Sequence, residues 1–170
     1  MGHDWRMLQD GDIALVRARW WLRWLCRYDH AAIVWRRQRA PDVWDYYTVE
    51  AGMTGVRSWV MGNWGRDITV IRPITPDNER GRSLGYQAAN EALRLQGLVY
   101  AWGHLARVIG RLLRRKLLRI QTGVVCSEFA ALAWRLVGVD LCPGVREPSP
   151  DDLHLAVEAR RATVVANYLY

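Results

Sequence analysis

The sequence predicts an α+β fold, an antiparallel sheet with helices packed on it, and three observations lead to this class. Short runs rich in β-branched and aromatic residues fill the first 73 positions, with glycine, proline and aspartate between them. Helical spacing of apolar residues dominates positions 79–138, and one strand-like run closes the chain. Strands and helices that are segregated along the chain are typical of α+β proteins.

Five runs are predicted to be strands. Residues 11–17 follow a Gly-Asp turn signal, and residues 30–36 form a buried run. Residues 43–51 follow a short turn and are rich in aromatic and β-branched types, so we expect them to pair with residues 30–36. Residues 67–73 end at a proline, and residues 162–170 supply the last strand.

Three stretches between these elements lack a clear pattern. Residues 18–28 mix tryptophan and arginine and read as a loop or a short helix across an apolar surface. Residues 52–65 are predicted to turn and then run irregularly, and residues 142–153 to form a turn-rich connection.

Three helices are predicted in the second half. Residues 79–97 place Leu84, Ala88, Ala92 and Leu95 in one stripe, and residues 105–120 combine an apolar stripe with five arginines. The third helix runs from Cys126 to Gly138. Its predicted buried residues are Phe129, Leu132, Ala133, Leu136 and Val137.

Length and composition indicate one globular domain over residues 1–170, because 51% of the residues are hydrophobic and 24% are charged. No apolar run is long enough to span a bilayer, and residues 1–12 lack the pattern of a secretory signal. We therefore expect a protein that is cytoplasmic as synthesised, with a phage particle and the membrane periphery as alternatives. The three cysteines and four histidines lack zinc-site spacing, so no metal and no cofactor are expected.

Cys126 is the first candidate for chemistry, because it lies where a strand-like pair of valines meets a predicted helix. The first amides of a helix lack intrahelical partners and carry partial positive charge, which favours a thiolate. Two interpretations follow, a catalytic nucleophile or a small buried residue.

A nucleophilic thiol needs a base, and the base needs an orienting group. His30 is the best base because it starts a predicted strand; His3, His104 and His154 are weaker candidates. Glu50 ends the strand predicted to pair with that of His30, so the two side chains can meet on one face. A structural role is the alternative for each candidate. His30 would be a surface residue or a core histidine with its hydrogen bonds satisfied, Glu50 a solvated side chain at a turn, and Asp12 a turn residue.

The order "GDI", "YDHAAIV", "VEA", "VVCSEFAALAW" resembles the permuted NlpC-like cysteine hydrolases of the YiiX and YaeF type. The resemblance covers roughly residues 10–155, including "PSPDDL" after the cysteine helix. It implies a circularly permuted papain-like fold, in which the sheet that carries the histidine precedes the helix that carries the cysteine. The basic helix at 105–120 then reads as an insertion.

Carried over to this chain, the resemblance makes Cys126 the nucleophile, His30 the base and Glu50 the third member. The candidates for substrate binding are Tyr28, Ser127 and Tyr100. The implied activity is that of a cysteine peptidase or amidase that works through a thioester.

The net charge of +7 favours an anionic partner, and Lys116 is the single lysine of the chain. The resemblance makes a cell-wall peptide the first expected substrate, attacked by a bacterial or phage enzyme. Lipid acyl transfer or hydrolysis is the alternative, because residues 18–27 and the helix at 105–120 suit a membrane surface. A non-enzymatic basic binding module is the third interpretation; nucleic acid is not expected, since no nucleic-acid motif is present.

Overall fold

The computed structural model describes residues 4–24, 26–52, 55–62, 64–75, 78–97 and 124–169. The predicted basic helix at 105–120 and the candidate substrate residue Tyr100 lie outside the described residues. So do His3 and His104.

The described residues form six strands and three α-helices. The strands are β1 Ile13–Arg17, β2 Tyr28–Ala40, β3 Val43–Gly52, β4 Gly55–Val60, β5 Ile68–Pro73 and β6 Ala162–Tyr168. The helices are α1 Asn78–Arg94, α2 Val124–Leu136 and α3 Pro150–Glu158, and a single 3-10 turn spans Trp20–Leu22.

All six strands join one antiparallel sheet in the order β4-β3-β2-β1-β5-β6. The strands β1 and β2 are central, and the predicted hairpin of β2 with β3 is present, with Ile33 opposite Val49. The α+β class and the antiparallel sheet are therefore confirmed.

The sheet carries a hydrophobic layer on each face, because side chains alternate along a strand. One layer joins the sheet to the helices; its buried members include Ile13, Leu15, Ile33, Val49, Ile71, Ala88, Phe129, Ala133 and Leu153. The other layer is built from Leu8, Ala14, Val34, Met61, Ile68 and Val70. Within the described ranges, no helix has the length and apolar character needed to cross a bilayer.

The prediction of irregular structure over residues 58–65 is wrong for its first part, because β4 extends from Gly55 to Val60. This strand lies at the sheet edge, and its last four side chains are exposed. An exposed edge strand needs no alternation of apolar and polar residues, so the sequence carries no strand signal there.

The prediction that residues 142–153 form only a connection is also wrong, since α3 begins at Pro150. Ser149 caps this helix: its side chain accepts from the Asp152 amide, and the Asp152 carboxylate accepts from the Ser149 amide. Serine, proline and aspartate favour both turns and helix starts, which is why the pattern was ambiguous.

The buried face of α2 differs from the prediction at two positions, since Leu132 and Leu136 are exposed. Ala130 and Trp134 are buried instead, and the Trp134 Nε1 donates to the Gly11 carbonyl over 3.0 Å. The buried face of α2 is therefore the one that carries Ala130 and Trp134, and the two leucines lie on the exposed side. The stripe predicted for α1 is confirmed, with Ala88 and Ala92 fully buried.

Candidate active site

Cys126 is the third residue of α2, within the first helical turn. The amides of this turn have no carbonyl partner inside the helix, so their partial positive charge lies beside the thiol. The Cys126 side chain is nearly enclosed, with 4% exposure. The placement at a helix start is the one that the sequence predicts.

His30 and Glu50 meet across the hairpin of β2 and β3. The distance from His30 Nε2 to Glu50 Oε2 is 2.5 Å, and Glu50 is only 6% exposed. The pairing ends at Ile33 and Val49, and the same register extended by one residue would set Glu50 opposite Ala32, two residues from His30. The two side chains are therefore diagonal neighbours, a separation that long polar side chains can bridge.

A β-bulge lies directly beside His30. Val16 of β1 pairs with His30, whereas the next residue, Arg17, pairs with Tyr28, so Asp29 is the extra residue. Bulges bend a strand and redirect side chains, and they are frequent next to active sites. The bulge therefore lies at the position where it can change the direction of the His30 side chain.

His30 interacts with both partners. Burial disfavours the imidazolium, but the charge of the Cys126 thiolate, a hydrogen bond to Cys126 and the Glu50 carboxylate together raise the pKa of His30 to about 10. Because Nε2 contacts Glu50, Nδ1 is the nitrogen that remains for the thiol. At neutral pH the raised pKa of His30 favours an imidazolium beside the Glu50 carboxylate.

Glu50 has two further neighbours that sequence reasoning missed. The Trp64 Nε1 donates to Glu50 Oε2 over 3.2 Å, and the Trp64 ring stands edge-on to His30 at 6.0 Å between centroids. Arg57 lies opposite Glu50 on β4. Burial opposes ionisation, but His30, Trp64 and Arg57 outweigh it and lower the pKa of Glu50.

No sequence signal points to Trp64, because it follows β4 in a stretch without a periodic pattern. Arg57 is different. A hairpin of β3 and β4 places this cation opposite Glu50, but the sequence predicts no strand over residues 55–60.

The structure places two of the three candidate substrate residues. Tyr28 is buried, its hydroxyl donates to Thr69 Oγ1 over 3.0 Å, and its ring lies 5.2 Å from that of His154. Ser127 is fully buried and donates to the Pro148 carbonyl over 2.6 Å. These contacts give both hydroxyls a structural role, and a role in substrate binding stays a prediction, as it does for Tyr100.

The other titratable candidates differ from the site residues. Burial lowers the pKa of His154, and the nearby Arg27 lowers it further. Asp12, predicted as a turn residue, is buried and forms a salt bridge with Arg72 at 2.7 Å. Among the residues that the structure describes, no three His, Cys, Asp or Glu side chains are grouped as a metal site would require.

The two remaining cysteines have thiols that are harder to ionise than an ordinary cysteine thiol. Burial and the charges of Asp151 and Asp29 raise the pKa of Cys26. Burial and the neighbouring Asp152 raise the pKa of Cys142 to about 11. Neither thiol has the environment of a nucleophile at neutral pH.

Comparison with known proteins adds no family: no protein-family model matches the chain, and no curated protein matches its sequence significantly.

Proposed function

We propose that the protein is a cysteine hydrolase that cleaves an amide or peptide bond through a thioester acyl-enzyme. One observation carries the proposal. His30 interacts with the thiol of Cys126 at a helix start and with the buried Glu50 at 2.5 Å. A nucleophile, a base and an orienting carboxylate are the parts that covalent acyl transfer needs. The resemblance to the permuted NlpC-like hydrolases, with a permuted papain-like fold, agrees with these roles.

Acylation begins from the thiolate of Cys126 and the imidazolium of His30. The sulfur attacks the carbonyl carbon, and amides at the start of α2 stabilise the oxyanion that develops. Collapse of the tetrahedral intermediate breaks the bond from carbon to nitrogen, and the His30 proton passes to the departing amine. Glu50 holds the imidazole ring in place and stabilises its charged form.

Deacylation reverses the proton movement. Neutral His30 takes a proton from water, and the oxygen of that water attacks the thioester carbonyl. The bond from carbon to sulfur then breaks, which releases a carboxylic acid and restores the thiolate and the imidazolium. No step requires a metal or an organic cofactor.

The proposed substrate is a peptide of the bacterial cell wall. The net charge of +7 favours accumulation on an anionic wall, and the family resemblance points to the same substrate. A lipid acyl ester or amide is the second candidate. It is favoured by the exposed Trp20 and Trp24, which precede the strand of His30.

Selective alkylation tests the nucleophile. Iodoacetamide at pH 7, with mass-spectrometric mapping, should modify Cys126 about tenfold faster or more than Cys26 and Cys142, since the thiolate is the reactive form. Accessibility alone predicts the opposite order for Cys26, which is more exposed than Cys126. Faster labelling of Cys26 would refute the proposal.

Two histidine variants provide a matched pair for this experiment. His30→Ala should remove the selectivity for Cys126, because it deletes the cation that stabilises the thiolate. His154→Ala removes another partly buried histidine outside the proposed site and should leave the selectivity unchanged.

Turnover is tested with purified peptidoglycan, by chromatography of the released fragments. Cys126→Ala should reduce hydrolysis by about 10³-fold or more, as losses of catalytic nucleophiles do, with an unchanged circular dichroism spectrum. Cys26→Ala should retain full activity. Hydrolysis that persists in Cys126→Ala would refute the mechanism.

A further inference from the structure

An exposed surface of tryptophan and arginine lies between β1 and β2. We define it as Arg19, Trp20, Trp21, Arg23, Trp24 and Arg27 and call it the Trp–Arg surface. Trp20 is 82% exposed, Trp24 is 80% exposed, and Trp21 is about half exposed. Soluble surfaces seldom expose several large aromatic rings together, and such groups mark interaction sites.

The turn that carries these rings is anchored to the fold. Leu22 is buried beneath it, and the Cys26 amide donates to the Leu22 carbonyl over 3.1 Å. The Arg23 Nε donates to the Ala18 carbonyl over 3.1 Å, and the Trp24 Nε1 donates to the Trp21 carbonyl over 2.8 Å. The rings are therefore presented by a folded turn.

One end of the turn is tied to β2 beside His30, and the other end is tied to α3. The Arg19 amide donates to Asp29 over 3.3 Å, one residue before His30. The amides of Arg27 and Tyr28 donate to Asp151 over 3.1 and 3.0 Å. A partner on the Trp–Arg surface would thus lie within a few residues of the proposed active site along β2.

The charge of this surface is positive and poorly compensated. Arg19, Arg23 and Arg27 are all exposed, and residues 17–27 contain no acidic residue. Asp29 is paired with Arg66 at 2.7 Å, and Asp151, which accepts from the Arg27 amide, offsets only one of the three arginine charges. The complementary partner is therefore anionic.

We propose that the Trp–Arg surface docks the protein onto an anionic phospholipid bilayer. Tryptophan prefers the interface between lipid and water, because its apolar ring can contact the acyl chains while its N–H keeps a polar partner. Arginine is attracted to anionic headgroups, and its stem packs along apolar surface. Trp20 and Trp21 line a concavity together with Arg19, whereas Trp24, which is 80% exposed, is not part of that lining. A groove for stacked bases would take up all three rings, so single-stranded nucleic acid is disfavoured.

Vesicle flotation with the full chain tests the proposal. The protein should float with vesicles of phosphatidylcholine and phosphatidylglycerol at 7:3 in 50 mM salt, and bind pure phosphatidylcholine much more weakly. Binding should weaken at 500 mM salt, because salt screens exposed charges. Absence of binding to the anionic vesicles at low salt overturns the proposal.

Two charge variants locate the contact. Arg19→Gln with Arg27→Gln should weaken vesicle binding about 30-fold, which corresponds to ~1 kcal/mol per arginine near an anionic surface. Arg37→Gln with Arg39→Gln is the matched control. It changes the net charge equally but removes exposed arginines near the far end of β2, and binding should stay within about twofold. Equal losses in both pairs would refute a local contact.

Two tryptophan variants make the same comparison for the rings. Trp20→Ser should lower binding about tenfold, as expected when an interfacial indole is lost. Trp44→Ser, an exposed tryptophan at the hairpin end of β3, should have no effect. Unchanged binding by Trp20→Ser together with Trp24→Ser overturns the assignment.

The outcome is independent of the proposed hydrolase activity. The four loop substitutions should leave iodoacetamide labelling of Cys126 unchanged, so failure of docking and failure of the nucleophile are observed separately. Tighter binding to a single-stranded oligonucleotide than to vesicles, lost in the same variants, would assign the surface to nucleic acid and refute the bilayer.

Discussion

At the scale of single residues, the proposed chemistry depends on the order of contacts around His30. In the Ser-His-Asp triad the imidazole presents Nε2 to the nucleophile and Nδ1 to the carboxylate. Here Nε2 contacts Glu50, so Nδ1 is left for Cys126. In the proposed mechanism the carboxylate has the same task, because it would orient the ring and stabilise the imidazolium. The proposed triad roles therefore rest on geometry and do not depend on which ring nitrogen is used.

Removing the charge of Glu50 tests its role. Glu50→Gln keeps a hydrogen-bonding side chain but loses the carboxylate, so the pKa of His30 should fall from about 10. We expect labelling of Cys126 at pH 7 to slow about tenfold, and the free energy of unfolding to fall by ~2 kcal/mol, typical of a buried charged hydrogen bond. Alkylation kinetics and urea unfolding measure the two effects.

The stability difference between the wild type and Glu50→Gln should depend on pH in a defined direction. The folded pKa of Glu50 lies below its ordinary value of 4.5, so its stabilisation is present above that pH and is lost in acid. The folded pKa of His30 is raised from 6.5 to about 10, so its contribution is complete below pH 6.5 and is lost as pH rises through 10. The difference between wild type and Glu50→Gln should be largest between pH 4.5 and 6.5. A constant difference from pH 3 to pH 11 would contradict the ion pair.

Trp64 is expected to be a positioning residue. Trp64→Phe keeps an aromatic ring beside His30 but removes the N–H that donates to Glu50. The pKa of Glu50 should rise, and acid unfolding should begin at higher pH than in the wild type. Circular dichroism as a function of pH measures this shift. Trp44→Phe alters a tryptophan near the hairpin turn, remote from the site, and should reproduce the wild-type curve.

At the scale of elements, the site depends on how α1, α2 and the hairpin of β2 and β3 are held together. The N-terminal loop passes over α1 at Gly11 and Gly85, where backbones approach closely. The same loop accepts a hydrogen bond from Trp134 of α2 through the Gly11 carbonyl. One short loop thus contacts both helices, and its backbone leaves no room for larger side chains.

Gly85→Ala sets helix propensity against packing. Alanine is the better helix former by ~1 kcal/mol, which alone predicts stabilisation. However, a Cβ at Gly85 would lie 2.3 Å from the Asp10 carbonyl oxygen, a clash between backbone and side chain. We expect the clash to outweigh the gain in helix propensity, so that the free energy of unfolding in urea falls by ~2 kcal/mol.

Gly97→Ala provides the control, since no neighbour lies within 4 Å of its Cβ and only its positive φ of 81° opposes the substitution. It should cost ~1 kcal/mol, less than Gly85→Ala. Stabilisation by Gly85→Ala would show that the contact is more pliable than the structure indicates.

At the scale of the whole molecule, the net charge of +7 acts on any anionic macromolecule before specific contacts form. This field adds to the local charge of the Trp–Arg surface. It would draw the protein to an anionic wall or membrane, whereas the proposed triad would act on a single bond. The two effects are separable by ionic strength, because exposed charges are screened and the enclosed site is screened much less.

We expect hydrolysis of anionic peptidoglycan to fall about tenfold between 50 and 500 mM salt, since screening lowers local accumulation. A short neutral peptide amide with the same scissile bond should show little change. Initial rates on the two substrates give the comparison, and an equal salt effect on both would assign the loss to the site itself.

Local patterns in the sequence predict the α+β class, five of the six strands, the helix that carries Cys126 near its start and the three candidate catalytic residues. These features depend on local signals, namely periodicity, turn residues and a cysteine at a helix start. The pairing of His30 with Glu50 also followed from the sequence, because two strands joined by a short turn are adjacent.

The surroundings of His30 and Glu50 depend on the tertiary structure and cannot be predicted from local patterns. Trp64, the bulge at Asp29, the edge strand β4 and the buried face of α2 depend on contacts between residues that are distant in sequence or on exposure at an edge. Such contacts leave no periodic pattern in the sequence, because they depend on the size and position of single side chains and not on a regular spacing of apolar residues. The same holds for the Trp–Arg surface: composition showed its residues, but only the fold showed that its rings face outward beside the strand of His30.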